Sequence, residues 1–209
     1  MKHEWKKNEK VFYLPKKQPE LITIPKFNFF TVKGKGDPND SSFLEYIAVL
    51  YSLSYAVKMS PKQGIAPKDY FEYTVYPLEG VWDYDETAKK SVDSKLDKNQ
   101  FIFNLMIRQP DFVTVAFAKE IIDITKKKKP HELLDKVVFE NIEERESIQM
   151  LHTGTYDSEP ESFKLMEQFT AKMKKKRSAR NHREIYLSDA RKTAPEKLKT
   201  VLRFQVEDI

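Results

Sequence analysis

Near its C-terminus the chain carries the run HREIYLSD, His182 to Asp189, in which a carboxylate stands two positions before a phenol. Read as a strand, the period of two puts Arg183, Ile185 and Leu187 on one face and Glu184 with Tyr186 on the other. Glu184 then lies opposite the aliphatics. On an edge strand it simply faces water. On a sheltered face, burial disfavours its charged form and raises its pKa, and a nearby cation reverses that shift. A carboxylate beside rings suits a planar cation: the charge attracts it, and each ring adds roughly 0.5–2 kcal/mol of cation–π attraction. The same carboxylate is also placed to take a proton from water, with a tyrosine hydroxyl orienting that water.

The supply of rings bears on which face is sheltered. The chain has 14 phenylalanines, 10 tyrosines and 2 tryptophans. In FEYTVYPLEGVW, Phe71 and Tyr73 fall on one strand parity and Tyr76 and Trp82 on the other; Phe101, Phe103, Tyr186 and Phe204 extend the set. For any one ring, core filling is the simpler reading. A strand gives only half its side chains to a helical layer, however, so rings on both parities imply a sheltered second face. A flat apolar ligand or a partner protein would provide that shelter.

Other chemistries find little support. The histidines His3, His131, His152 and His182 lack ligand spacing and cysteine is absent, so no metal and no cofactor are expected. GKGDPND reads as a turn rather than a phosphate loop, and no nucleophile-elbow motif occurs. The net charge of +5 collects in two runs, Lys126 to Lys129 and Lys172 to Arg180, each read as the solvated end of a helix. Without interleaved aromatics they do not suggest nucleic-acid binding. No apolar segment of signal-peptide or membrane-spanning length is present, so a cytoplasmic protein without a membrane partner is expected.

The elements that must position these residues recur. Phe29 to Met59 and Ser147 to Lys176 each begin with a strand-like run, FNFFTVKG or SIQMLHTG, and pass through a Gly–Asp/Pro/Ser loop. Each continues as a helix. The apolar stripes are Phe43, Ile47, Leu50, Leu53 and Val57 in the first, and Phe163, Met166, Phe169 and Met173 in the second. Ser41 and Ser158 are the candidate N-caps, with Pro160 in a first turn. Strand pairs follow: YFEYTVYPL with QFIFNLMIRQ, then HREIYLSD with KTVLRFQVE. The unit is strand–helix–strand–strand, twice, and it aligns Tyr76 with Tyr186.

Between the repeats, a helix is predicted from near Pro110 to Pro130, then a shorter amphipathic piece, HELLDKVVFENI. Asp83 to Gln100 reads as an exposed polar excursion or a short helix, and VFYLPKKQPELITIP as an extra strand or a surface wrap.

These stretches, above all MLHTGTYDSEPESFKLMEQF, YTVYPLEGVW and REIYLSDARKTAPEKLKTVLRF, resemble the GyrI-like small-molecule-binding proteins. That family is also seen as the effector domain of multidrug-responsive transcription activators. The resemblance runs from about Phe29 to Phe204. It implies an α+β fold in which two pseudo-symmetric strand–helix–strand–strand repeats form a curved antiparallel sheet with helices on one side and a central ligand cleft. The whole chain, 1–209, is expected to be one such domain, with repeat one at about 27–108, connecting helices at about 110–145 and repeat two at about 146–207.

By resemblance, Glu184 is the glutamate of the pocket and Trp82, Tyr76 and Tyr186 its aromatic wall; Phe103 joins the ligand-binding candidates. Only about 25 residues precede the first strand, where the activators carry a DNA-binding domain, so direct nucleic-acid binding is not expected. Three functions follow from the resemblance. The first is capture of flat aromatic, hydrophobic or cationic xenobiotics, for cellular protection. The second is hydrolysis of the cyclopropane in DNA-alkylating cyclopropanoids, with Glu184 and Tyr186 catalytic. The third is protein contact with a partner such as DNA gyrase. No oligomerisation motif is evident.

Overall fold

The computed structural model describes residues 2–84 and 98–209. The fold is α+β with seven strands among the described residues: β1 (Glu20–Lys35), β2 (Leu78–Tyr84), β3 (Phe101–Gln109), β4 (Val138–Thr153), β5 (Lys175–Arg177), β6 (His182–Tyr186) and β7 (Lys199–Asp208). They hydrogen-bond in the order β4-β1-β3-β2-β6-β7-β5, and β4 also pairs with β7. The α-helices among the described residues are α1 (Trp5–Asn8), α2 (Lys10–Tyr13), α3 (Ser41–Lys58), α4 (Val115–Lys128) and α5 (Glu159–Lys172).

The repeat is visible in the ladders. β1, α3, β2 and β3 form one set and β4, α5, β6 and β7 the other. In both, the first strand pairs antiparallel with the last: Asn28↔Gln109 through Lys35↔Ile102, and Ser147↔Gln205 through Thr153↔Lys199. By their contacts in space, the described residues fall into two units. One takes those within Met1–Glu4, Phe27–Leu78 and Asp83–Ile142; the other takes Trp5–Lys26, Glu79–Trp82 and Glu143–Ile209.

In the first unit, α3 buries Val49, Leu50, Leu53, Ser54 and Val57; Leu50, Leu53 and Val57 belong to the predicted three- and four-residue stripe, whereas its Phe43 and Ile47 are half-buried. Its N-cap is Asp40, one residue before the expected Ser41. α4 packs on α3 and starts at Thr114, whose hydroxyl accepts from Phe117 N–H. The amphipathic piece expected at HELLDKVVFENI is only a single turn, Glu132–Asp135; from Val138 the chain is already β4. Its β-branched and aromatic residues, Val137, Val138, Phe139 and Ile142, favour the pleated state.

The strand expected over YFEYTVYPL also differs. Tyr73 makes one isolated bridge with His3, and regular pairing begins only at Leu78, just past Pro77. Tyr70, Phe71 and Tyr73 instead pack their rings around Phe112 at 5.1, 5.2 and 5.9 Å between centroids. Of the rings assigned a face by strand parity in this stretch, only Trp82 therefore lies on a regular strand.

In the second unit, Ile148 and Met150 from β4, Met166 from α5, and Leu202, Phe204 and Val206 from β7 make the core, with Phe163 and Phe169 packed against it. Met173, predicted on the same stripe, is the C-cap and is exposed. The residues before β1 form α1 and α2, where Trp5 and Tyr13 bury their rings together; Lys16 then accepts from Leu151 N–H.

The second basic run is not a solvated helix end. α5 stops at Lys172, Lys174 takes φ 54°, and Lys175–Arg177 pair with β7. Acidic partners explain the pairing: Lys175 meets Glu146 and Asp208, Lys176 meets Glu207, and Arg177 meets Glu167. The polar excursion expected at Asp83 to Gln100 lies for the most part, at 85–97, outside the described residues. No helix among the described residues is long and apolar enough to cross a membrane.

Candidate functional site

β6 has five residues, and both of its faces carry ionisable groups. Its register with β2 pairs Glu79 with Ile185, Gly80 with Glu184, Val81 with Arg183 and Trp82 with His182. Side chains of directly opposed residues share a face, so Trp82 joins His182, Glu184 and Tyr186. Opposite Glu184 stands Gly80.

On this face a chain of hydrogen bonds converges on Glu184. Trp82 Nε1–H donates to Tyr186 Oη at 2.7 Å, and the Tyr186 hydroxyl donates to the Glu184 carboxylate. His182 Nε2 lies 3.0 Å from Glu184 Oε1. Glu159, the first residue of α5, hydrogen-bonds the same carboxylate. Glu184 is 8% exposed and Glu159 5%. Around them, Tyr156 meets the Tyr186 ring edge-on at 6.1 Å and Phe163 meets His182 at 4.7 Å.

Burial, then the neighbouring Glu184 carboxylate, holds the Glu159 carboxyl far above the usual carboxylate range, which favours its protonated form. Burial, then Glu184, also pushes the Tyr186 hydroxyl well up, and the same two causes lift Tyr156 to about 12. Both phenols stay protonated donors. Keeping a carboxyl neutral against its ordinary tendency costs stability, about 1.4 kcal/mol for every tenfold rise in its proton affinity. Glu159→Gln retains a donor toward Glu184 without that cost, and it is expected to raise stability at pH 7 by on the order of 1–3 kcal/mol, read as a higher denaturation midpoint.

The turn before α5 sets where Glu159 starts. His152 Nε2–H donates to the Thr155 carbonyl at 3.0 Å, while its Nδ1 accepts from the Ser162 hydroxyl at 2.9 Å. Gly154 opens the turn at φ 138°, and a Cβ there would come within 2.9 Å of Ser158 Oγ. Gly154→Ala is expected to cost about 1–3 kcal/mol of stability and to weaken binding of any ligand that contacts Glu159, measurable by urea denaturation and by titration.

The opposite face of β6 anchors the strand. Arg183, 3% exposed, donates from Nη1 to Glu79 at 2.6 Å and from Nε to Glu144 at 2.8 Å. Arg203 donates from Nη1 to the other Glu144 oxygen at 3.0 Å, from Nη2 to Gln149 at 2.8 Å and to the Phe12 carbonyl. The two carboxylates shift in opposite directions. Burial alone would raise both; Arg183 and Arg203 together outweigh it at Glu144 and lower that pKa, whereas Glu79, bonded to Arg183 only, stays raised.

Three of the residues singled out from sequence, Trp82, Glu184 and Tyr186, thus come together by direct bonds. Tyr76 and Phe103 belong to the other unit and have partners there. Arg108 stacks its guanidinium 4.6 Å from the Tyr76 ring and 3.3 Å from that of Phe27. Phe103 lies over Gly34, where a Cβ would meet its ring at 2.4 Å, and between Phe43 and Tyr46. Sequence reasoning missed Glu159 and His182. His182 carried a signal, since an i, i+2 spacing on a strand puts it beside Glu184. The scattered histidines offered no ligand spacing, yet the fold sets one donor atom each of Glu159, His182 and Glu184 within 4.8 Å of one another.

A buried carboxylate joined to an indole and a phenol on the face of an antiparallel sheet is an arrangement suited to small molecules. The GyrI-like small molecule binding domain matches residues 17–207, and the chain belongs to that family. A hydrolase from Listeria innocua is 35% identical, with 98% of this chain and 100% of that one covered and a TM-score of 0.87. A second L. innocua hydrolase is 36% identical over 99% and 100%, with a TM-score of 0.89. The EcmrR C-terminal domain shares the fold at 16% identity, 92% and 98% coverage and a TM-score of 0.54. No curated protein sequence matches the chain.

Proposed function

We propose that the protein captures flat aromatic or cationic small molecules of the xenobiotic kind at Glu184, against Trp82 and Tyr186. One observation carries this reading. Glu184 is a buried carboxylate whose partners, among the described residues, are His182, Tyr186 and Glu159, with no lysine or arginine paired to it. A buried carboxylate without a lysine or arginine partner gains from a cationic ligand, and the adjoining rings add stacking. Family membership supports small-molecule binding.

Tryptophan fluorescence titrated with a rhodamine dye tests it. Saturable quenching that is lost in Trp82→Phe is the expected result. Saturable quenching retained in Trp82→Phe places the dye elsewhere, and absence of quenching together with absence of heat in calorimetry contradicts the proposal.

The two Listeria hydrolases favour a second reading, in which the ligand is also turned over. Glu184 takes a proton from water, the water oxygen bonds to a strained cyclopropane carbon, and the breaking C–C bond pushes its electron pair into the rest of the ligand. Glu159 then returns a proton there. Incubation with a cyclopropanoid alkylator should yield the ring-opened, water-added product, and Glu184→Gln should stop it. A gyrase-directed contact through the second basic run is disfavoured, since Lys175, Lys176 and Arg177 meet acids of their own chain.

A further inference from the structure

We propose that Glu159, His182 and Glu184 form a binding site for a single first-row divalent cation, with zinc the ion the donor set fits best. Each residue offers one donor atom, and the three lie within 4.8 Å of one another. Zinc bonds of about 2.0–2.1 Å in a tetrahedron put neighbouring donors roughly 3.3 Å apart. His182 Nε2 and Glu184 Oε1, at 3.0 Å, are already close to that spacing. The third donor has to close by at most about 1.5 Å, which lies within the broad terminal torsion of a glutamate.

A second observation is independent of this spacing. Glu159 is 5% exposed, and its Oε1 is buried without a hydrogen-bond partner. A buried polar atom of that kind is costly to leave unsatisfied and calls for a missing donor or ion. A divalent cation can take the place of the proton between the two carboxyls. An imidazole nitrogen with two carboxylate oxygens and no thiolate suits zinc or manganese rather than a soft ion, and three protein ligands leave a fourth position for water.

The surroundings orient the ligands in the way metal sites require. Tyr186 donates to Glu184 and is itself held by Trp82 Nε1–H. His152 fixes the turn that delivers Glu159. Such outer hydrogen bonds hold ligands in position and tune their basicity. The site goes beyond the capture of an organic ligand and shares Glu184 with it, so a bound ion and a cationic ligand compete for that carboxylate.

The test is a titration of chelator-treated protein with Co2+, whose visible ligand-field bands report its coordination directly. Bands that saturate at one ion per chain and are displaced by Zn2+ are expected. His182→Ala and Glu159→Gln should each abolish the bands and weaken Zn2+ binding at least about tenfold, measured against a chromophoric chelator. Thermal melts confirm that both variants are folded. Absence of saturable bands overturns the site. So does binding that survives either substitution, which would assign the ion to other groups such as His3 or His131. Rhodamine titration in excess EDTA reads the organic ligand separately, so failure of one proposal leaves the other measurable.

Discussion

Glu144→Gln is expected to lower stability by about 3–5 kcal/mol, measured by urea denaturation at pH 7. Glu144 bridges Arg183 and Arg203, with an oxygen for each. A glutamine has one acceptor oxygen for two guanidinium groups, and its amide N–H atoms face the second. Both arginines are 3% exposed, so water does not replace the missing acceptor. Glu79→Gln should be milder, because burial already outweighs the attraction of Arg183 at that residue.

The pH dependence follows from the direction of the Glu144 shift. Its folded pKa lies below the unfolded value, so its contribution is fully present above the ordinary carboxylate range and is lost as pH falls through the depressed folded pKa. The acid limb of the stability curve should therefore be flatter in Glu144→Gln than in the wild type. Arg183 alternates with His182 and Glu184 along β6, so the same substitution is expected to loosen the ligand face as well.

The second large effect is on ligand choice. Glu184→Gln keeps the shape of the site but removes its charge. At an effective dielectric of 20, unit charges about 5 Å apart interact by roughly 3 kcal/mol; for a ligand whose charge is spread over several rings, a loss of about 2 kcal/mol, or about thirtyfold in affinity, is expected. A neutral ligand of the same shape should change by less than about threefold. Glu159 limits the loss. With Glu184 neutral, one of the two main causes that keep Glu159 protonated is gone, and a bound cation can draw the charge onto it. The double variant Glu159→Gln, Glu184→Gln should therefore lose more affinity for cations than Glu184→Gln alone.

Periodicity made much of this fold legible. The stripe from Leu50 to Val57 predicts the buried face of α3, and the alternation in HREIY predicts a strand whose two faces differ. YFEYTVYPL misled because its aromatic residues have the propensity of a strand, but the backbone of Tyr73 finds only the single bridge to His3, and the rings settle around Phe112. The basic run at 172–180 misled because its partners, Glu207 and Asp208, sit at the far end of the sequence on β7.

The candidate site was half legible. Glu184, Tyr186 and Trp82 follow from alternation and resemblance, and the role of His182 was available from its spacing. Glu159 was not, because only the turn at Gly154 and His152 brings the start of α5 to β6. Likewise, nothing local in the sequence distinguishes Arg183, locked between two carboxylates, from an ordinary surface arginine.

The most direct measurement is a calorimetric titration, in EDTA, of wild type and Glu184→Gln with a cationic rhodamine and with a neutral, equally flat analogue. A loss of about thirtyfold for the cation with the neutral analogue nearly unchanged is the predicted outcome. Equal affinities of the two proteins for the cation would contradict the assignment of Glu184 as the charge-selecting group.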